Sequence, residues 1–336
     1  MRQRLAVLLA GLALGGCFAD TAARGNPEVR VQELETGLAA GAPGALELEA
    51  ALVLNSDDSD FGGLSGLWLS PRSDRLIAAS DRGILWTAAL AHDDQGRLRG
   101  IQGWRSLMPR VVPGDDPDEI DAESLAGDRD GGLVIAYEDD HRLRRLPLDD
   151  LGAEPAVLPT PPIPAGTENA GIEALTDLAE GALLALSEGV TDRNGDLAGW
   201  LIRGERPEAL GYVRTGDFVP TGIDRLDDVL FVVERRFNWL GGFATRIVAL
   251  PADDAVPGAR LGGVELARIE RPLIGENFEG IVARHGPDGR IHLYLLSDDN
   301  FFLLQQTILL QLSIGPEALE RRLGQRIAAA HQRPEG

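Results

Sequence analysis

One pattern recurs five times along this chain and limits what it can fold into. Each copy holds a short strand with a small residue beside a larger or acidic one, a polar turn, and an apolar strand ending in a carboxylate. The copies are Leu64-Ser65-Gly66-Leu67 with Leu76 to Asp81, Ala122-Glu123-Ser124-Leu125 with Leu133 to Glu138, and Ile172-Glu173-Ala174-Leu175 with Leu183 to Glu188. Pro220-Thr221-Gly222-Ile223 with Val229 to Glu234, and Phe278-Glu279-Gly280-Ile281 with Leu293 to Asp298, complete the set. The small residues Gly66, Ser124, Ala174, Gly222 and Gly280 lie 58, 50, 48 and 58 residues apart. A unit of about 50 residues with four strands cannot bury its apolar faces alone, and radial stacking of such units gives a β-propeller.

Counting strands sets the size of the ring. A third strand is expected in every unit, at Ile84 to Leu90, Leu143 to Leu148, Gly199 to Arg203, Arg246 to Leu250 and Ile308 to Ile314. A fourth is expected at Ile101 to Leu107, Pro155 to Pro159, Ala209 to Val213 and Val264 to Ile269, after which the last unit runs out of chain. Leu46 to Leu54 has no unit of its own and can supply the missing strand, which would remove two exposed sheet edges. The fold expected is therefore all-β: a β-propeller of five four-stranded blades closed by an N-terminal strand. Six blades stay open if the long first or last interval hides a degenerate one. Helical periodicity shows only where Leu319, Leu323, Ile327 and Ala330 share a face.

The leading segment reads as an address. Arg2 and Arg4 precede the apolar run Leu5 to Leu14, and Leu14-Gly15-Gly16-Cys17 has the form of a bacterial lipobox. The segment implies export, cleavage before Cys17 and lipidation of that residue, with Phe18 where an inner-membrane retention signal would have Asp. The expected location is the bacterial cell envelope, in the periplasm at the outer membrane. The longest apolar run, Leu5 to Gly16, falls short of the ~18 to 20 residues of a spanning helix. The domain reading is 1–16 signal peptide, 17–45 tether, with Val29, Val31 and Leu34 able to form a short strand, 46–315 propeller, and 316–336 C-terminal helix and tail. Cys17 is the only cysteine, so neither a disulfide nor a cysteine metal site can form.

Charge narrows the partners. The chain has 32 basic and 53 acidic residues, a formal charge of −21, and every basic residue is arginine. Nucleic acid is excluded, because phosphate binding needs a concentrated basic surface. Cations and neutral partners suit such a surface better.

In an antiparallel blade the start of the first strand and the end of the second meet at one rim of the central channel. The inner acids Glu123, Glu173 and Glu279, with Ser65 and Thr221 as hydroxyl variants, would meet the strand-end acids Asp81, Glu138, Glu188, Glu234 and Asp298 there. Eight carboxylates so close demand raised pKa values, intervening arginines or a bound cation. Calcium, with six to eight oxygen ligands, fits better than zinc. The recurrence also has a plain structural reading, in which the acids accept hydrogen bonds between blades or pair with arginines. Asp192-Arg193-Asn194-Gly195-Asp196 has some calcium-loop character and reads better as a hairpin turn.

The ordered set Phe61 to Leu67, Ser80-Asp81-Arg82-Gly83, Ala122 to Leu125, Gly171 to Leu175, Val233-Glu234-Arg235, Asn277 to Ile281 and Leu296 to Asn300 resembles the phytase-like family, also called esterase-like activity of phytase. The resemblance implies an exported hydrolase of phosphate or carboxylic esters working through the repeated acids. The expected roles are Glu173, Glu123 and Glu279 in catalysis, Asp81, Glu138, Glu188, Glu234 and Asp298 on a divalent cation, expected to be Ca2+, and Arg82, Arg225 and Arg235 on the substrate anion. A small-molecule ester or phosphoester is the expected partner. The alternative is a non-catalytic envelope propeller that binds a ligand or protein through a rim whose acids are structural.

Overall fold

The apolar runs of the repeat become strands because both of their faces are covered. In the first unit Leu67 and Leu69 pack towards Val282 and Leu296 of the last unit, while Trp68 between them packs towards Leu125 and Ile135 of the second. Side chains alternate across a strand, so a sheet standing edge-on between two others needs apolar residues at every position. That is why Leu64–Leu69 and Gly132–Tyr137 are buried throughout.

The computed structural model describes residues 23–34, 44–112, 120–138, 141–164, 171–271 and 274–330. It is a β-propeller of five blades, with 56% strand and 6% helix. From the channel outwards, blade 1 runs Leu64–Leu69, Arg75–Ser80, Leu85–His92 and Leu98–Leu107; blade 2 runs Ala122–Gly127, Gly132–Tyr137, Leu143–Pro147 and Ala156–Leu158. Blade 3 is Ile172–Asp177, Leu183–Thr191, Leu197–Ile202 and Glu208–Tyr212, and blade 4 is Val219–Leu226, Val229–Asn238, Gly242–Pro251 and Val264–Glu270. Blade 5 takes Asn277–His285, Ile291–Asp298 and Thr307–Ile314 from the end of the propeller and Glu47–Ser56 from its beginning. That closing strand pairs antiparallel with Thr307–Ile314, from Thr307 opposite Leu54 to Ser313 opposite Glu47. The expected closure is observed.

Three short strands extend blade edges. Val29–Glu33 adds to the closing strand, as Val29 and Val31 suggested, while Ala23–Gly25 on blade 1 and Arg260–Leu261 on blade 3 were not anticipated. Residues 23–25 and 29–33, read from sequence as tether, thus carry blade edges. The helix Pro316–Ala330 buries Leu319 against the core between blades 4 and 5. Cys17, the acidic loop residues Asp115 to Glu119 and His331 lie outside the described residues.

The small residue of the repeat has a steric cause. A methyl group added at Gly222 would lie 2.0 Å from the Glu279 carbonyl oxygen of blade 5, and one at Gly280 would lie 2.6 Å from Leu67 Cβ of blade 1. The inner strands therefore approach closely around the channel, and the residue just before each small one is carried to the channel wall.

Candidate active site

In all five blades the pairing of the inner strand with the second slips at the residue before the small one. Leu64 faces Ser80 and Gly66 faces Ala79, leaving Ser65 as an extra residue; Glu123, Glu173, Thr221 and Glu279 are left over in the same way. Such a bulge bends the strand and re-aims the extra side chain. Ser65, Glu123, Glu173 and Glu279 line a cavity of about 160 Å³ at one rim, together with Asp81, Glu138, Glu188, Asp298, Asn300 and Arg235. Thr221 turns aside and its hydroxyl donates to the Phe278 carbonyl oxygen at 3.0 Å.

Seven of the eight expected carboxylates converge, and the exception is a correction. Glu234 does not reach the cavity, because the repeat in blade 4 is offset by one residue from the sequence alignment. The strand-end position faces the residue two before the bulge: Asp81 bonds Gly63, Glu138 bonds Asp121 and Asp298 faces Asn277. In blade 4 the residue facing Val219 is Arg235. A slip of one position turns a strand residue to the opposite face. Glu234 points between blades instead, where it pairs with Arg246 and accepts a hydrogen bond from Tyr212 Oη at 2.8 Å. Arg235 takes the place of the fifth acid.

Arg235 organises one side of the cavity. Its guanidinium donates to Glu188 at 2.6 Å, to Glu279 at 2.8 Å and to the Asn277 side-chain oxygen at 3.0 Å. Asn277 in turn donates to Glu279 at 3.0 Å and to Asp298 at 3.2 Å. On the side of blades 1 and 2, Asp81, Asp121 and Glu123 present carboxylate oxygens within 4.8 Å of one another, a group that can hold a metal ion. Ser65 fixes Asp81 with a 2.8 Å hydrogen bond.

The other two arginines are elsewhere. Arg225 stands on the same inner strand as Thr221 but four residues down, so it lies near the opposite rim, bonded to the Asp177 carboxylate at 3.1 Å. Arg82 follows Asp81, yet its guanidinium stacks 3.8 Å from the centre of the Phe301 ring and donates to the Ser59 carbonyl oxygen. Neither lines the cavity.

Crowding shows in the protonation equilibria. Burial pushes Asp81 up to about 6 against the Ser65 hydrogen bond, with Asp121 adding to the rise. Burial and the charges of Glu279 and Asp81 push Asp298 up to about 9. Glu123 and Glu173 are held well above the carboxylate range, by burial first and then by Glu173 and Glu279 around the former and Glu188 and Glu138 around the latter. Burial also raises Glu279, although Arg235 pulls it back.

Asp121, Asn277 and Asn300 were missed as site residues. Asp121 and Asn277 share one signal, since each stands two residues before an inner acid and so on the same strand face. The stretch 192–196 is a hairpin turn, with Asp192 accepting from the Asn194 amide at 2.7 Å and Asp196 paired with Arg260.

Among solved structures the chain is similar to a virginiamycin B lyase from Staphylococcus aureus, at 12% identity over 85% of this chain and 100% of that one, with a TM-score of 0.40. A glucose dehydrogenase is 19% identical over 85% of this chain and 99% of its own, with a TM-score of 0.35. These likenesses are too loose to carry an activity across. A comparison with curated proteins gives no match. The sequence profile described as phytase-like, esterase-like activity of phytase, matches residues 59–301, most of the chain, and the protein belongs to that family.

Proposed function

We propose that the protein is an exported, envelope-anchored hydrolase of phosphate or carboxylic esters that works with a divalent cation at the rim cavity. The observation that carries this reading is the trio Asp81, Asp121 and Glu123, three carboxylates within 4.8 Å of one another, of which Asp81 and Glu123 line the cavity that also presents Arg235. Family membership supports the hydrolase class. The donors fit a hard cation, since all are carboxylate oxygens, and calcium suits them better than zinc, which favours nitrogen and sulfur. When bound, such an ion supplies Lewis acidity and offsets charge developing on the ester oxygen.

The remaining roles follow from the chain itself. Arg235 is pinned by Glu188, Glu279 and Asn277 and can orient an anionic group; Glu279 acts through it and is a positioning residue. Burial and the neighbouring Glu188 and Glu138 charges favour the protonated form of Glu173, which suits it to protonating a leaving-group oxygen. Seven carboxylates and one guanidinium line the cavity, so neutral or singly charged esters fit and polyphosphorylated ones are repelled. Export and lipidation at Cys17 rest on the Arg2 to Cys17 segment, and intact mass of the native protein tests them. One observation favours the non-catalytic reading: Glu234, an acid of the repeat, is wholly engaged by Arg246 and Tyr212.

Hydrolysis of an aryl phosphate, an aryl phosphodiester and a short acyl ester, with and without chelator, tests the proposal. Calcium at a hundredfold excess over its Kd should stabilise the fold by roughly 2.7 kcal/mol. Asp121→Asn should weaken that gain, and Glu173→Gln should abolish turnover while leaving most of it. Equal melting temperatures in calcium, magnesium, manganese and chelator would sink the metal reading and leave a binding module.

A further inference from the structure

The rim that holds the acidic cavity also carries the most exposed apolar side chains among the described residues. In blade 4 the inner strand ends its pairing at Val219 opposite Arg235, but the second strand continues to Asn238 and stays paired with the third down to Asn238 opposite Gly242. Three further residues at ~3.3 Å each lift this hairpin roughly 10 Å above the rim. Its tip is Trp239, 93% exposed, and Leu240, fully exposed. In blade 5 the second strand reaches the same rim at Asp298, and the loop that follows exposes Phe302 at 55%, Leu304 at 78% and Leu303 completely. Two apolar tips from adjacent blades therefore rise from one face.

A third element meets them there. Blade 1 adjoins blade 5, and its outer strand Leu98–Leu107 runs towards the acidic rim, because Leu85, beside the end of the second strand, pairs with both Ala79 and Leu107. Ala23 lies opposite Leu107. The described fold therefore begins, at Ala23, on this same rim, and the lipid attachment proposed at Cys17 stands six residues before it in the sequence. Exposed patches of this kind mark interaction surfaces, and the chemistry points to one. Tryptophan and leucine at separate loop tips suit the boundary between headgroups and acyl chains, where indole rings settle.

We propose that this rim is the face by which the protein lies on a lipid surface, with the 238–242 hairpin and the 299–306 loop inserted at the headgroup boundary. At a formal charge of −21 the surface is a zwitterionic one, since anionic lipid would repel the rim. The cavity then opens towards headgroups. This orientation does not depend on the cavity being catalytic.

The chain has five tryptophans, and Trp68, Trp86, Trp104 and Trp200 are buried, so Trp239 alone reports on the tip. The test mixes the full chain with phosphatidylcholine vesicles, with and without brominated acyl chains. Trp239 emission should shift to the blue and be quenched by the brominated lipid, and Trp239→Phe should remove the quenching. Leu303→Ser with Leu304→Ser should weaken vesicle partition about tenfold while leaving the melting temperature unchanged. Vesicle capture without quenching of Trp239 would mean that the leading segment binds alone and would overturn the proposal, as would failure to bind. A dimer in vesicle-free buffer that dissociates in the Leu303→Ser, Leu304→Ser variant would assign the tips to a protein contact and overturn it equally.

Discussion

Glu234 and Glu173 look interchangeable in the repeat, yet their substitution should move stability in opposite directions. Glu234→Gln leaves the buried Arg246 with only the half-exposed Glu265 at 3.9 Å, and breaking a buried pair from one side costs about 3 to 5 kcal/mol. Glu173→Gln removes a buried carboxyl whose ionisation is opposed by burial and by Glu188 and Glu138, and should stabilise the metal-free protein at pH 8, above the ordinary carboxylate range. Urea unfolding of the two variants checks both signs; a Glu173→Gln protein weaker than wild type at pH 8 in chelator would contradict the electrostatic account. The same crowding gives the whole cavity a pH dependence. A carboxyl with a raised folded-state pKa contributes stability below its ordinary value and loses it as pH rises through the folded one, about 6 for Asp81 and about 9 for Asp298. Chelated protein should therefore melt progressively lower from pH 5 to 9.5, and calcium should flatten the fall. Melts that are level or rise across that window in chelator would refute this. Seven of the eight acids were legible because the acid itself repeats. Glu234 was misread because an acid that directly follows an apolar strand matches the repeat by type even when it stands one position early, and the strand-end position that the structure assigns to Arg235 breaks the acidic rule.

At the scale of elements, the inner strands are legible because they are apolar on both faces and carry a small residue at a fixed place. What the sequence could not display is the bulge. It shows only as a change of register between paired strands, Leu64 and Gly66 against Ser80 and Ala79 in blade 1, and pairing partners are not written in one strand alone. The outer strands Ala23–Gly25 and Arg260–Leu261 escaped for a simpler reason, since two or three residues carry no periodicity. The bulge and the small residue act together, and this yields a graded series. Gly222→Ala brings a methyl to 2.0 Å from a backbone oxygen, Gly280→Ala brings one to 2.6 Å from a side-chain carbon, and Gly100→Ala on the outer strand of blade 1 meets nothing within 4 Å. Overpacking costs about 1 to 3 kcal/mol and occasionally more. Gly222→Ala should thus be the most destabilising, Gly280→Ala intermediate and Gly100→Ala close to neutral. Denaturant midpoints in any other order would show that the inner strands are not in the close contact described.

For the whole molecule the decisive element is the closing strand, because the last blade reaches four strands, and the ring is joined, only while both ends of the propeller share one sheet. Glu47–Ser56 contributes Leu52, Val53 and Leu54 as large buried side chains, packed into the cores that blade 5 shares with its two neighbours. Burying three such side chains is worth roughly 5 to 9 kcal/mol, which approaches the whole stability of an ordinary domain, about 5 to 15 kcal/mol. Removal also bares the edge of Thr307–Ile314, eight buried residues with unpaired backbone groups, which is a template for aggregation. A chain starting at Asp57 should consequently lose its cooperative transition and aggregate. One starting at Leu46 sheds only the short edge strands and should unfold cooperatively at a slightly lower denaturant concentration, since Val29 and Val31 are only half-buried. Adding the peptide Leu46 to Ser56 in trans to the shorter chain, while it refolds from denaturant, should restore monomer together with the calcium response proposed for the cavity, because the acids of blade 5 stand on the sheet that the peptide completes. A shorter chain that is monomeric and cooperative without the peptide would show that the ring holds without closure.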